Sequence, residues 1–335
     1  MDLIREISAS FGSLFWSWGS RFAILHLCVC VFIVYAIWHF RGRPTGFLRF
    51  IFPREIYFHR SNLVDIQVFL VNFVLGAFGF FGAVLFAPVV VDILLTKLIS
   101  LQGAAFQPLD VTWGRSALAT LIIVMTADFC KYWTHYLHHE SRVLWPFHSL
   151  HHSAEVLTPL TVSRIHPVYI LIRNLMMSLG VGVAQALMLF LLIGKIDLLT
   201  IGGANAGYFL FNLFGANLRH SHVWLSFGPV LEHIFISPAQ HQIHHSCAVK
   251  HHNKNYGEVF ALWDWIFGTL YIPKTEEKLE FGIADAQGVK IEQPHATLKD
   301  AFVRPFLDSF EEVSGMPRIQ RSTDKDQKPS ASQKQ

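Results

Sequence analysis

Long apolar stretches recur at 22–40, 68–91, 117–134, 168–194 and 198–218, and they limit this chain to folds that keep helices out of water. A helix rises about 1.5 Å per residue, so about 20 apolar residues cross a hydrocarbon core of roughly 30 Å. The first two stretches meet that length, the second with room for tilt. The third is marginal, because Asp128 and Lys131 near its end imply emergence into the interface. Arg173 lies near the start of the fourth, where it can snorkel to the headgroups. Lys195 to Asp197 is short enough to join the last two as a hairpin. Charged residues make up 15% of the chain and hydrophobic ones 52%, a balance that soluble domains rarely show. The first stretch is too bulky for a signal-peptide core and no small-residue cleavage pattern follows it. It is expected to remain as a membrane helix.

Basic residues orient these spans. Arg41, Arg43, Arg49, Arg54 and Arg60 follow the first, against Glu55 alone, whereas the loop after the second has only Lys97 and Arg115 near its ends, around Asp110. The positive-inside rule places 41–64 in the cytoplasm, and counting crossings puts the segments after Thr134 and Leu218 on the same side. The expected fold is an all-α, multi-pass integral membrane protein with roughly four to five transmembrane helices and a cytoplasmic helical cap. In a bacterium that membrane is the inner one. The organisation reads as N-terminal membrane helices with a basic loop (1–115), a catalytic region (116–272), a small appendage (273–312) and a disordered tail (313–335). Within the appendage, 298–310 is amphipathic and suited to the interface. A net charge of +3 is too small and dispersed to argue for nucleic acid, and the four cysteines show no disulfide or zinc-ribbon spacing, which allows a reducing compartment.

Histidines supply the chemistry. His135, His138 and His139 form one cluster, His148, His151 and His152 a second, and His241, His244 and His245 a third. Imidazoles at i, i+3 and i+4 share one side of a helix and can converge on an ion. Imidazole suits iron, zinc, copper and nickel, and about eight or nine such rings are too many for one ion and right for two. The expected metal ligands are His135, His139, His148, His151, His152, His241, His244 and His245, with His220 added; His138 and His166 fit the set less closely. A lone histidine is more often structural, but three clusters on one side of a membrane are a different matter. His222, His233, His251, His252 and His295 are expected at the interface or surface, and His26, His39 and His59 are given no function. Asp128 shares a helical stripe with Tyr132, His135 and His139, so it is expected to accept a ring N–H and set its tautomer; pairing with Lys131 is the plainer reading. Glu155 is expected to hydrogen-bond a ligand imidazole or to bind the metal, or else to cap a helix.

These residues also carry a family resemblance. Asp128-x-x-x-Tyr132-Trp133-x-His135-x-x-x-His139, Leu144-Trp145-x-Phe147-His148-x-x-His151-His152-Ser153 and Arg164-Ile165-His166-Pro167 resemble motifs of the fatty acid hydroxylase and sterol desaturase superfamily. So do Pro238-x-x-His241-x-x-His244-His245, Asn253-x-x-Tyr256-Gly257 and Trp263-Asp264-x-x-Phe267-Gly268-Thr269, which together span about 116–272. Tyr136 stands where the family's first cluster usually carries an arginine, which puts in doubt any contact that arginine makes. Tyr256 and Asp264 are expected to support ligands rather than react. The resemblance, strongest to the alkylglycerol monooxygenase-like and bacterial lipid hydroxylase branch, implies a non-haem di-iron oxygenase with two irons and O2 as cosubstrate. It implies hydroxylation of an unactivated C–H of a membrane lipid, an ornithine lipid or another polar lipid, with sterol or fatty acyl desaturation as the alternative. Two electrons per turnover have to come from a ferredoxin or cytochrome with its reductase, since neither a dinucleotide fingerprint nor a Cys-x-x-Cys-His haem site is present. A metal transporter would hold its ligands near mid-membrane, whereas these clusters fall outside the apolar spans. A zinc hydrolase would call for His-Glu-x-x-His, which is absent.

Overall fold

The computed structural model describes residues 2–17, 20–103, 107, 109–194, 203, 206, 209–213 and 215–315. The principal helices are α1 (Asp2–Trp16), α2 (Ile24–Phe40), α3 (Ser61–Ala77), α4 (Ala87–Gln102), α5 (Trp113–Glu140), α6 (Trp145–His152), α7 (Pro167–Met188), α8 (Pro238–His244), α9 (Leu262–Phe267) and α10 (Leu298–Ser314). Among the described residues β structure is limited to three isolated bridges. Three helical stretches among the described residues are long and apolar enough to cross a membrane: Phe80–Gln102, Trp113–Glu140 and Pro167–Ile193. α2 and α3 are apolar but shorter.

The length of α5 explains where the chemistry sits. Its 28 residues begin at Thr112, whose hydroxyl accepts from the Arg115 N–H at 3.3 Å. That many residues span roughly 42 Å, about 12 Å more than the hydrocarbon core. The surplus is the last two turns, which carry His135, His138 and His139.

α7 packs against both α4 and α5, and small residues make the close approach possible. A methyl group at Gly180 would lie 2.3 Å from Cys130 Sγ, and one at Gly182 would lie 2.8 Å from Val90 Cβ. Further along, Ala119, Met188, Leu189 and Ile193 form a buried cluster joined by Val91 and Leu95.

The expected continuous span at 68–91 is broken in the structure. α3 stops at Ala77, Gly79 takes a left-handed φ of 74°, a 3-10 turn covers Phe80–Val84, and α4 restarts with Pro88 in its first turn. The break frees backbone groups that lipid cannot satisfy, and α7 supplies their partners. Asn174 Nδ2 donates to Phe81 O at 3.1 Å, Ser178 Oγ donates to Val84 O at 2.8 Å, and Phe86 N donates to Ser178 Oγ at 3.2 Å. The chain does not reverse there, because Ser61 lies beside Arg164, Val90 beside Gly182, and Leu95 beside Leu189 and Ile193. α3 and α4 therefore make one interrupted traverse alongside α7.

At the other edge, Cys30 and Val34 of α2 pack with Leu218 and Val223, and Arg41 donates to Trp224 O at 3.3 Å while pairing with Glu276 at 2.8 Å. Most of the expected span at 198–218, and the Lys195 to Asp197 link, lie outside the described residues.

α10 extends the expected amphipathic stretch to Ser314, and 316–335 of the expected tail lie outside the described residues. Thr297 caps it by accepting from Asp300 N at 3.2 Å. Ala301 packs on Val64, Val68 and Leu150, which fastens the appendage to α3 and α6, while Phe306 and Phe310 stay largely exposed.

Candidate metal centre

α6 and α8 are both short, and each presents histidines at i, i+3 and i+4. Successive helical residues turn by about 100°, so i+4 lies about 40° to one side of i and i+3 about 60° to the other, which leaves i+3 and i+4 about 100° apart. In α6, His148 and His152 turn toward one group of rings and His151 toward another; in α8, His241 and His245 turn together and His244 apart. α5 adds His135 and His139, and His220 follows the 3-10 turn Ala216–Leu218. The result is two groups. His135, His139, His148, His152 and His244 form the first, and His151, His220, His241 and His245 the second, with ring nitrogens in each group lying within 4.8 Å of one another. All nine of the expected principal ligands fall into these groups, and α6 and α8 each contribute to both.

The donor set suits metal. Nε2 atoms face one another at 3.1 Å for His148 and His152, 3.2 Å for His151 and His220, and 3.1 Å for His220 and His241. Two nitrogens bound at about 2.1 Å to one ion stand roughly 3.0 to 3.4 Å apart, depending on whether the angle is octahedral or tetrahedral. His135 Nδ1–H donates to Tyr256 O at 2.7 Å, and His244 Nδ1–H donates to Lys254 O at 2.7 Å. A carbonyl only accepts, so in the neutral ring the lone pair is on Nε2. Those two Nε2 atoms are buried and otherwise without a partner, as is Nε2 of His139. Burial pushes His148, His152, His220, His241, His244 and His245 well below the usual imidazole range, and takes His151 down to about 3. Neutral imidazole is the form that binds metal.

The two anchoring carbonyls belong to a loop built for the purpose. Asn253 and Asn255 both adopt a φ of 58°, a region that asparagine tolerates better than most residues. Asn255 Nδ2 donates to Gln240 O at 3.1 Å and Tyr271 O at 3.0 Å, and its Oδ1 accepts from Tyr271 N at 2.7 Å. Asp264 accepts from Tyr256 N and Gly257 N, each at 2.8 Å, and from Thr269 Oγ1 at 2.6 Å. This is the supporting role expected of Asp264, exercised through the backbone.

Other expectations are corrected. Asp128 does not accept from a histidine; it takes Val259 N at 3.0 Å, Phe260 N at 3.1 Å and Trp263 Nε1 at 3.1 Å, and so ties α5 to the loop before α9. Glu155 turns away from both groups to pair with Lys290 at 3.2 Å, because the appendage folds back over it. His138 is buried but outside the groups: its Nδ1–H donates to Thr134 O at 2.7 Å and its ring packs at a tilt against Tyr169. His166 caps α7 by accepting from Val168 N at 3.2 Å, and its Nε2–H donates to Phe302 O at 3.3 Å. His251 and His295, expected at the surface, are buried; His295 Nε2 lies 3.0 Å from Ser149 Oγ on α6. Asp65 and Arg164, both fully buried and paired at 3.0 Å, were given no role by the sequence, although an acid inside an apolar helix is itself a signal.

A cavity of about 820 Å³ opens onto this centre. His139, His152, His244 and His245 line its inner wall, Trp145 flanks them, and α10 with 282–295 roofs it.

Comparison with known proteins agrees with this geometry. Residues 120–269 match the fatty acid hydroxylase family model. The chain is 33% identical over 168 residues to the ornithine lipid hydroxylase OlsE of Rhizobium tropici, covering 50% of this chain and 46% of that protein. It is 28% identical over 183 residues to the alkylglycerol monooxygenase of Danio rerio, covering 55% and 36% of the two chains. Against the alkylglycerol monooxygenase of Homo sapiens it is 30% identical over 156 residues, covering 47% and 31%. The chain thus spans less than half the length of the curated relatives it matches. No solved structure matches it. The stretch 120–269 that matches the fatty acid hydroxylase family model contains all nine grouped histidines.

Proposed function

We propose that this protein is a membrane lipid hydroxylase that inserts one atom of O2 into an unactivated C–H bond of a polar lipid, an ornithine lipid being one example. The observation that carries the reading is the gathering of nine buried imidazoles into two adjoining groups beside a cavity, at the end of apolar helices. The relatives are named for oxygenation of an ornithine lipid and of alkylglycerols, both lipids. The first group would hold one iron and the second another, and bound there the pair would supply O2 activation and C–H oxidation. The overall change consumes R–H, O2, two electrons and two protons and yields R–OH and water. The electrons come from a separate ferredoxin or cytochrome with its reductase.

The chain's own residues do the rest. The carbonyls of Tyr256 and Lys254 hold His135 and His244 in the tautomer whose Nε2 faces inward. Trp145 packs beside the rings of His139 and His152 and screens that wall from water. The surplus turns of α5 place the centre beyond the apolar core, so a lipid reaches it with its polar end in the cavity; on the charge pattern that side is the cytoplasm. Histidines at the ends of the helices, rather than midway along them, do not favour a transporter.

Mass spectra of lipid extracts with and without the gene test the reading. A gene-dependent gain of one oxygen on a lipid is expected. Loss of two hydrogens instead would make the protein a desaturase, and an unchanged lipid profile would reject both.

A further inference from the structure

Arg164 follows the 3-10 turn Pro159–Ser163, is fully buried, and takes no part in the chemistry above. Its Nε donates to Leu150 O at 2.8 Å, Nη2 to Ser153 Oγ at 2.8 Å and His295 O at 3.4 Å, and Nη1 to Asp65 Oδ1 at 3.0 Å and Ser61 O at 3.1 Å. Asp65 also accepts from Thr161 Oγ1 at 2.6 Å. Leu150 lies in α6 next to His151, and Ser153 is the C-cap of that helix, so the guanidinium grips the end that carries His151 and His152. Apolar residues of similar volume often stabilise a core as well as a buried ion pair does. What the arginine adds is direction, since its five donors lie in one rigid plane.

α6 has only eight residues, and it must serve both histidine groups at once. His148 and His152 bind it to the first group, while His151 alone reaches the second. A free helix would turn to suit its two ligands on the first side and withdraw the single one on the other. We propose that Arg164, held by Asp65, is a positioning residue that sets the rotation of α6 and thereby completes the second metal site. The appendage adds to the same grip: Gln293 Nε2 donates to Ser153 O at 2.5 Å, and His295 Nε2 meets Ser149 Oγ. The inference rests on the metal reading given above.

The test compares the full-length protein with Arg164→Lys, which keeps the charge and loses the fork, and with Asp65→Asn and Ser153→Ala, which keep the arginine. Each is reconstituted with Fe(II) without oxygen, bound iron is counted, and Mössbauer spectra report whether the ions are magnetically coupled. The wild type is expected to hold two coupled irons, one per histidine group. In Arg164→Lys the first site stays filled while affinity at the second falls about 10–100-fold, and the coupled spectrum disappears. Asp65→Asn and Ser153→Ala show the same selective loss to a smaller degree, and they decide the matter if Arg164→Lys does not accumulate. Equal weakening of both sites, or wild-type iron content and spectrum in the variants, overturns the positioning role. A wild-type protein that binds no iron overturns the metal reading instead.

Discussion

The two histidine groups are built differently. The first has five members, two of them anchored by backbone carbonyls, and His139, His152 and His244 of it line the cavity. The second has four, all buried, and of these only His245 reaches the cavity wall. In the second group the Nδ1 atoms of His220, His241 and His245 have no hydrogen-bond partner. The contrast teaches that the first group is the one the cavity reaches, with two of its rings held from outside by a hydrogen-bonded loop. The second lies deeper and meets the cavity through His245.

The sharpest way to break that contrast is to remove one ligand from each side. His244→Ala and His220→Ala should both abolish lipid hydroxylation, yet iron analysis should show the first site emptied in one case and the second in the other. If both variants lose both ions together, the groups are one site and the comparison fails.

A smaller effect is expected at the anchoring loop. Asn255→Ala removes three hydrogen bonds and places a residue less suited to it at a φ of 58°. Affinity at the first site should fall about 10–100-fold, by loss of the support behind His135 and His244, with the second site unchanged. Iron titration of the variant checks this. Asn255→Gly restores the backbone freedom without the bonds, and separates the two causes.

Acidity acts on both groups but through the same sign. Burial depresses the folded-state values of His148, His152, His241 and His245, so these rings bind protons more readily when the chain is unfolded. Their contribution is present above the unfolded imidazole value of about 6.5 and is lost as pH falls below it. Thermal denaturation of the iron-free protein should therefore move to lower temperature between about pH 7 and 5. A flat profile there would mean that the rings are hydrated when the metal is out.

The smallest change is expected at Glu155. Glu155→Gln breaks only the pair with Lys290, both partly exposed, and should cost about 0.2–1 kcal/mol in urea unfolding while leaving iron content as it was. A loss of iron would return Glu155 to the centre.

The histidines that gather are legible in the sequence because the signal is local. The division into two groups is not set by spacing, since i, i+3 and i+4 share one side of a helix; it follows from how α6 and α8 meet the rings of α5 and His220. What stayed hidden depends on residues far apart. Asp128 sits on the same stripe as His135 and His139, but the donors it satisfies, Val259, Phe260 and Trp263, come from a loop more than 130 residues later. His295 reads as a surface residue until the appendage folds back onto α6. The break between α3 and α4 is masked by side chains that are apolar throughout; its local marks are Gly76, Gly79, Gly82 and Pro88.

That break has a consequence for biosynthesis. The unpaired peptide groups of 80–86 are completed by Asn174 and Ser178, which the ribosome adds more than 90 residues later. Until α7 emerges, the first half of this interrupted traverse is a poor guest for the bilayer and is expected to wait in the insertion machinery. Translation intermediates arrested before α7 should accordingly stay open to protease at the Phe80–Val84 turn, and become protected once Ser178 has been added.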